Sequence, residues 1–117
     1  MDRNKLMGRE AEARCAAYLR DRGWHIAAMN YACRGGEIDI VAERGGIIAF
    51  VEVKERSGSR FSLPREAVTP AKQRRIRTAA LWYLAAHETA LQPRFDVAEV
   101  TPSPGGPQIN IIENAFE

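Results

Sequence analysis

A chain of 117 residues that is 45% hydrophobic with a formal net charge of +2 has room for one buried core and is expected to form a single domain over 1–117; the net charge by itself designates no partner. Cys15 and Cys33 stand 18 residues apart with no CxxC and no histidine at ligand spacing, which argues against zinc or a disulfide framework and for free thiols in a reducing cytoplasm. Nowhere do ~18 uncharged apolar residues follow one another, and no apolar run backs the charges of MDRNKLMGREAEARC, so a membrane span and a cleaved leader are both unexpected and the protein should be soluble.

Residues 5–22 suit a helix, with Gly8, Glu12, Cys15, Ala16 and Leu19 on one stripe and Gly23 as its stop; Glu12 lies on that mostly apolar stripe. Trp24 to Ala28 reads as a short strand and 30–35 as a connecting loop. Ile38 to Ala42 and Ile47 to Val53 read as strands joined through Arg44-Gly45-Gly46, whose glycines supply the positive φ of a tight hairpin turn. The second is apolar on both faces through Ile47, Ile48, Ala49, Phe50 and Val51, and should therefore be central.

A polar loop over 57–68 contains Pro64. Thr69 and Pro70 then supply an N-cap and a first-turn proline for a helix running to about His87. Its buried stripe is Ile76, Ala79, Ala80, Tyr83 and Leu84, with His87 at the end. Arg94 to Val100 and Gln108 to Ile112 read as the last strands, separated by the proline- and glycine-rich TPSPGGP. The order α-β-β-β-α-β-β predicts a mixed α/β sandwich of about five strands rather than a purely parallel sheet.

Charge is unevenly spread along this order. Residues 54–77 hold eight basic side chains (Lys54, Arg56, Arg60, Arg65, Lys72, Arg74, Arg75, Arg77) against Glu55 and Glu66, so the segment is +6 and the remainder −4. A basic stretch directly after a carboxylate cluster points to a polyanionic partner. Lys72, Arg74, Arg75 and Arg77 crowd the first turns of a helix, where the dipole disfavours positive charge. Contact with a phosphate backbone accounts for that placement, and with Arg56 these four make a candidate nucleic-acid-binding set.

If Gly45 and Gly46 form a two-residue turn, Arg44 pairs with Ile47 and every further pair sums to 91, which sets Asp39 opposite Glu52. Their Cβ atoms would be roughly 4.5–5.5 Å apart. Glu52 and Lys54, two apart, leave the same face. Facing carboxylates repel and are costly to bury unless a cation lies between them, and a hard divalent ion such as Mg²⁺ fits oxygen donors of this kind. The alternative is a structural ion cluster in which Lys54 pairs with both carboxylates. Glu37 is read as pointing to the face opposite Asp39 and as structural. His25 and His87 lie outside the chemistry, and Trp82 and Tyr83 read as core or interface aromatics.

The stretch GGEIDIVAERGGIIAFVEVKERS resembles the diagnostic segment of the YraN-like bacterial family, which is similar in core motif to archaeal Holliday-junction resolvases of the PD-(D/E)XK superfamily. The resemblance continues through GREAEARCAAYL, residues 30–34, EAVTPAKQRRI, RFDVAEV and the terminal NAF. It implies a restriction endonuclease-like three-layer sandwich and a Mg²⁺- or Mn²⁺-dependent endonuclease hydrolysing phosphodiester bonds in DNA, branched or damaged DNA by analogy with resolvases. By position, Asp39 matches the motif aspartate, Glu52-Val53-Lys54 the ExK, and Glu12 the helix-borne glutamate of resolvase-like members. The resemblance thus implies Asp39, Glu52 and the Val53 carbonyl as metal ligands, with Lys54 orienting or deprotonating a water or stabilising charge on the phosphate. A homodimer would follow from the need for two sites to cut two strands. The rivals are a non-catalytic nucleic-acid-binding module that uses the 54–77 basic segment, and a scaffold protein.

Overall fold

The computed structural model describes residues 3–56 and 68–117; the predicted polar loop, up to residue 67, lies outside them. The elements are α1 (Arg3–Asp21), β1 (His25–Cys33), β2 (Gly36–Arg44), β3 (Ile47–Glu55), α2 (Pro70–Ala86), β4 (Gln92–Thr101) and β5 (Gln108–Phe116). Thr69 caps α2 as its sequence predicts, its Oγ1 accepting from the Lys72 N–H at 3.2 Å, while Gly23 at φ +89° ends α1.

The strands form one sheet in chain order, with β3 at its centre. Neighbours are antiparallel except β3 and β4, which run parallel, and α2 lies in the crossover that such a pair needs. Ile38, Val41, Ile48, Phe50 and Val97 pack with Ile76, Ala79, Ala80 and Tyr83 of α2. On the opposite face Ile40, Ala42, Ala49, Val51 and Ala98 pack with Cys15, Ala16 and Leu19 of α1. The result is the expected mixed α/β architecture in three layers. It also explains the apolar run of β3, whose alternate residues serve two cores; burying each of Ile48, Phe50 and Val51 is worth about 1.5–3 kcal/mol.

Two expectations need correction. Strand β1 continues to Cys33, so most of the predicted 30–35 loop is strand. Asn30 takes φ +53° there, a conformation asparagine tolerates better than most residues, and so a polar residue that looks like a breaker is absorbed. Strand β5 likewise passes Ile112 and ends at Phe116. Asn114 is again at φ +53°, its N–H donates to Asp96 Oδ1 at 2.9 Å, and Phe116 stacks on Phe95 with ring centroids 5.0 Å apart.

Gly36 opens β2 beneath α2. A Cβ at that position would run into the Arg75 carbonyl, so the absence of a side chain lets the helix lie directly on the strand. Its first turn is thereby brought over the ends of β2 and β3.

Candidate active site

The Gly45-Gly46 turn sets the register that was counted from it. Pairing runs from Arg44↔Ile47 to Ile40↔Val51 and goes no further. At the next position Asp39 Oδ2 accepts from the Val53 N–H at 2.8 Å. Strand β2 changes its alternation at the same residue: Ile38 belongs to the α2-side core and Ile40 to the α1-side core, although residues two apart in a regular strand share a face. The predicted ladder pair of Asp39 with Glu52 is therefore replaced. A carboxylate takes over where main-chain pairing stops, and Asp39 stands between β2 and β3, close to groups from both layers.

From the α1 side comes Glu12. Docking of Ala11, Cys15, Ala16 and Leu19 against the sheet carries this half-buried side chain to Asn30 and Asp39. Burial pushes its carboxyl above the ordinary range and the Asp39 charge pushes it further, while the Asn30 side chain pulls the other way. The Cys15 thiol behind it is pushed up to about 12 by burial first and then by the charges of Asp39 and Glu12. Both cysteines are free, as expected.

From the β3 side comes Glu52, only 8% exposed. Burial, then the Asp39 charge, push its carboxyl up to about 8, and Lys72 partly offsets them. Two of the site's carboxylate oxygens, Glu12 Oε1 and Glu52 Oε2, are buried without a hydrogen-bond partner among the described residues. Leaving such atoms bare costs on the order of 1–3 kcal/mol each, more when charged.

The basic residues divide unexpectedly. Lys72, expected to face a phosphate backbone, turns inward: its Nζ is 3.6 Å from Glu52 Oε1 and 3.5 Å from Glu37 Oε1. Glu37 is thus drawn toward the site, against its expected orientation, because regular alternation does not hold across Asp39 and the lysine is long enough to reach both acids. The ion cluster foreseen around Lys54 is built on Lys72 instead; Lys54 has no ion pair among the described residues. It lines a cavity of about 200 Å³ with Glu52, Val68, Thr69 and Lys72.

Arg56 is tied to Glu99 at 2.8 Å, and Arg77 donates to the main-chain oxygen of Glu117 at 2.7 Å. Arg74 and Arg75 are the exposed members of the predicted nucleic-acid set. A larger hollow of about 520 Å³ lies elsewhere, between α1 and the 102–107 turn, and takes only Arg56 from the predicted residues.

Asn30 and Asp96 escaped sequence reasoning. Asp96 is 2% exposed, receives Arg94 through two bonds of 2.9 Å, and ties β4 to the irregular part of β5. Its signal was an acid set between Phe95 and Val97 in the strand segment RFDVAEV.

The donors gathered around Asp39 are all oxygens, the set that suits a hard divalent ion. No three acidic, histidine or cysteine side chains among the described residues already stand at coordination spacing. That is compatible with Mg²⁺, which takes one or two carboxylates and fills its remaining positions with water and substrate oxygens. The two orphaned carboxylate oxygens fit such an ion better than they fit an empty interior.

Residues 11–100 match the model of the Uncharacterised protein family UPF0102. A UPF0102 protein of Syntrophus aciditrophicus is 44% identical over all of this chain and 93% of its own length. One from Symbiobacterium thermophilum is 45% identical over 97% of this chain and 98% of its own, and one from Geobacter sulfurreducens 46% over 97% and 91%. Among the described residues no helix is long and apolar enough to cross a membrane.

Proposed function

Since this chain belongs to the UPF0102 family, we propose from its site that it is a divalent-metal-dependent endonuclease hydrolysing phosphodiester bonds in DNA, with branched DNA as the substrate form by analogy with resolvases. The observation that carries this reading is the meeting of Glu12, Asp39 and Glu52 from three separate elements, with buried carboxylate oxygens left unpaired on both sides of Asp39. A purely structural cluster has no use for so much uncompensated acid in a protein interior.

Asp39 and Glu52 would hold the Mg²⁺ or Mn²⁺ ion, with the Val53 carbonyl as a third donor. The Val53 N–H bond to Asp39 Oδ2 fixes that carboxylate, and Oδ1 would be the oxygen it offers the ion. When bound, the ion would supply Lewis-acid activation of a phosphoryl oxygen and of a water. Lys54, on the wall of the cavity beside Glu52, would orient the attacking water or offset charge that develops on the phosphate. Glu12 would set the orientation and protonation of Asp39 from behind. Exposed Arg74 and Arg75, one turn further along α2, would hold flanking phosphates.

The test is incubation of the purified chain with four-way, nicked and single-stranded DNA in Mg²⁺ or Mn²⁺. Metal-dependent cleavage that disappears in Asp39→Asn and Glu52→Gln is expected; cleavage that persists in both variants would end the reading.

One observation favours a second reading. The contacts of Lys72 with Glu52 and Glu37 partly neutralise the acids without any metal, as a DNA-binding module that does no chemistry would require. Calorimetric titration with Mg²⁺ separates the two, because that module has no specific metal site at the hairpin.

A further inference from the structure

The first turn of α2 sends a cation into the acidic site from the side opposite α1. Lys72 could instead have turned outward with Arg74 and Arg75, where solvent would hydrate its ammonium at little cost. Its Nζ lies 3.6 Å from the oxygen of a glutamate side chain only 10% exposed, and 3.5 Å from that of Glu37. Both contacts exceed hydrogen-bond distance. They place a positive charge near the carboxylates without engaging it in the short, closed geometry of a permanent ion pair. The other oxygen of the same carboxylate, Glu52 Oε2, is buried and unpaired.

Next to Lys72 there is room to move. The cavity of about 200 Å³ that it lines with Glu52, Lys54, Val68 and Thr69 gives its ammonium space beside Lys54, and its side chain is still 34% exposed, so it can swing off Glu52 toward solvent. We infer that Lys72 is the resident cation of this site: its ammonium occupies the position beside Glu52 while no divalent ion is bound, and it swings away from Glu52 toward Lys54 and solvent when one binds. Metal binding and release of Lys72 are then a single event. The freed ammonium stands beside Lys54, where a phosphate oxygen would receive both charges, so substrate and metal each favour the other's binding. The inference rests on the metal-dependent reading above and adds to it a positioning residue outside the hairpin motif.

Calorimetric titration of Mn²⁺ into the full chain and into Lys72→Met and Lys72→Arg tests it. Removing the competitor should tighten Mn²⁺ binding by on the order of tenfold, whereas Lys72→Arg, which keeps a cation there, should bind as the parent does. Equal affinity in Lys72→Met and the parent overturns the inference and leaves the metal site standing. Absence of Mn²⁺ binding in all three overturns the metal-dependent reading and this inference with it. A measurement on the unaltered chain guards against misfolding of a variant: the rate at which acetic anhydride modifies Lys72, followed by mass spectrometry, should rise severalfold on adding Mn²⁺. An unchanged rate under saturating Mn²⁺ counts against displacement.

Discussion

The main-chain N–H of Val53 donates to Asp39 Oδ2 across 2.8 Å, at the point where the β2–β3 ladder ends. One oxygen of the central acid is thereby committed to the end of the ladder. Asp39→Asn keeps an acceptor for Val53 and removes the charge, so it should fold with nearly the parent Tm yet lose metal-dependent cleavage by about 100-fold or more. Asp39→Ala also strands the Val53 N–H, at a cost of ~1–3 kcal/mol, partly offset by relief of Glu12 and Glu52. Parallel cleavage assays and thermal melts check both variants.

Glu52 ties stability to pH. Its folded pKa of about 8 lies above the ordinary 4.5, so between those values the folded chain binds more protons than the unfolded one. Metal-free stability should therefore fall, by a few kcal/mol, as pH rises from about 4.5 to about 8. Mg²⁺ affinity should change in the opposite sense, because the ion and the proton compete for one carboxylate. Urea melts of the parent and Glu52→Gln at pH 5, 7 and 9 check the first; the variant should show a much flatter profile.

Gly36→Ala tests how closely α2 lies on β2. The added methyl meets the Arg75 carbonyl, which is backbone and cannot rotate aside. The helix must lift, with an expected loss of about 1–3 kcal/mol or more. Chemical denaturation measures it, and Lys72 should lose its contact with Glu52 in the same variant.

Asp96 is an acid with a different purpose. Arg94 and the Asn114 N–H occupy both its oxygens, so Asp96→Ala strips Arg94 of its two short bonds, leaves it Glu113 at 3.6 Å, and should cost about 1–3 kcal/mol. At temperatures where that variant stays folded, calorimetry should find Mn²⁺ affinity unchanged.

Arg74 and Arg75 are exposed, whereas Arg56 is paired with Glu99 and Arg77 is bonded to the main chain of Glu117. Replacing Arg74 and Arg75 by alanine should weaken DNA binding across sequences and reduce the slope of log affinity against log salt by about 2. Fluorescence anisotropy at several salt concentrations reads this directly. Arg77→Ala should have much less effect.

Much of this site could be read from the chain because its turn is so short. With Gly45-Gly46 fixed, counting outward gives the correct partners as far as Ile40 and Val51, and Glu12 stood out on an apolar helix stripe. The break at Asp39 could not be counted. Ile38 and Ile40 are equally apolar, so the pattern reads the same whether they face one core or two. Asn30 was mistaken for a loop residue because a positive φ inside a strand leaves no mark beyond a polar letter. The direction of Lys72 depended on how near α2 comes to the sheet, which Gly36 decides from 36 residues away in sequence.

The position of Asp39 has one more consequence. A carboxylate lodged between strands touches Glu12, carried by one helix, and lies beside Glu52, which answers to Lys72 on the other. Those helices sit on opposite sides of the sheet. A small tilt of either would change how many protons or cations the same carboxylate shares, so the sheet would relay docking at one surface to the other as a change in charge, with no strand having to shift.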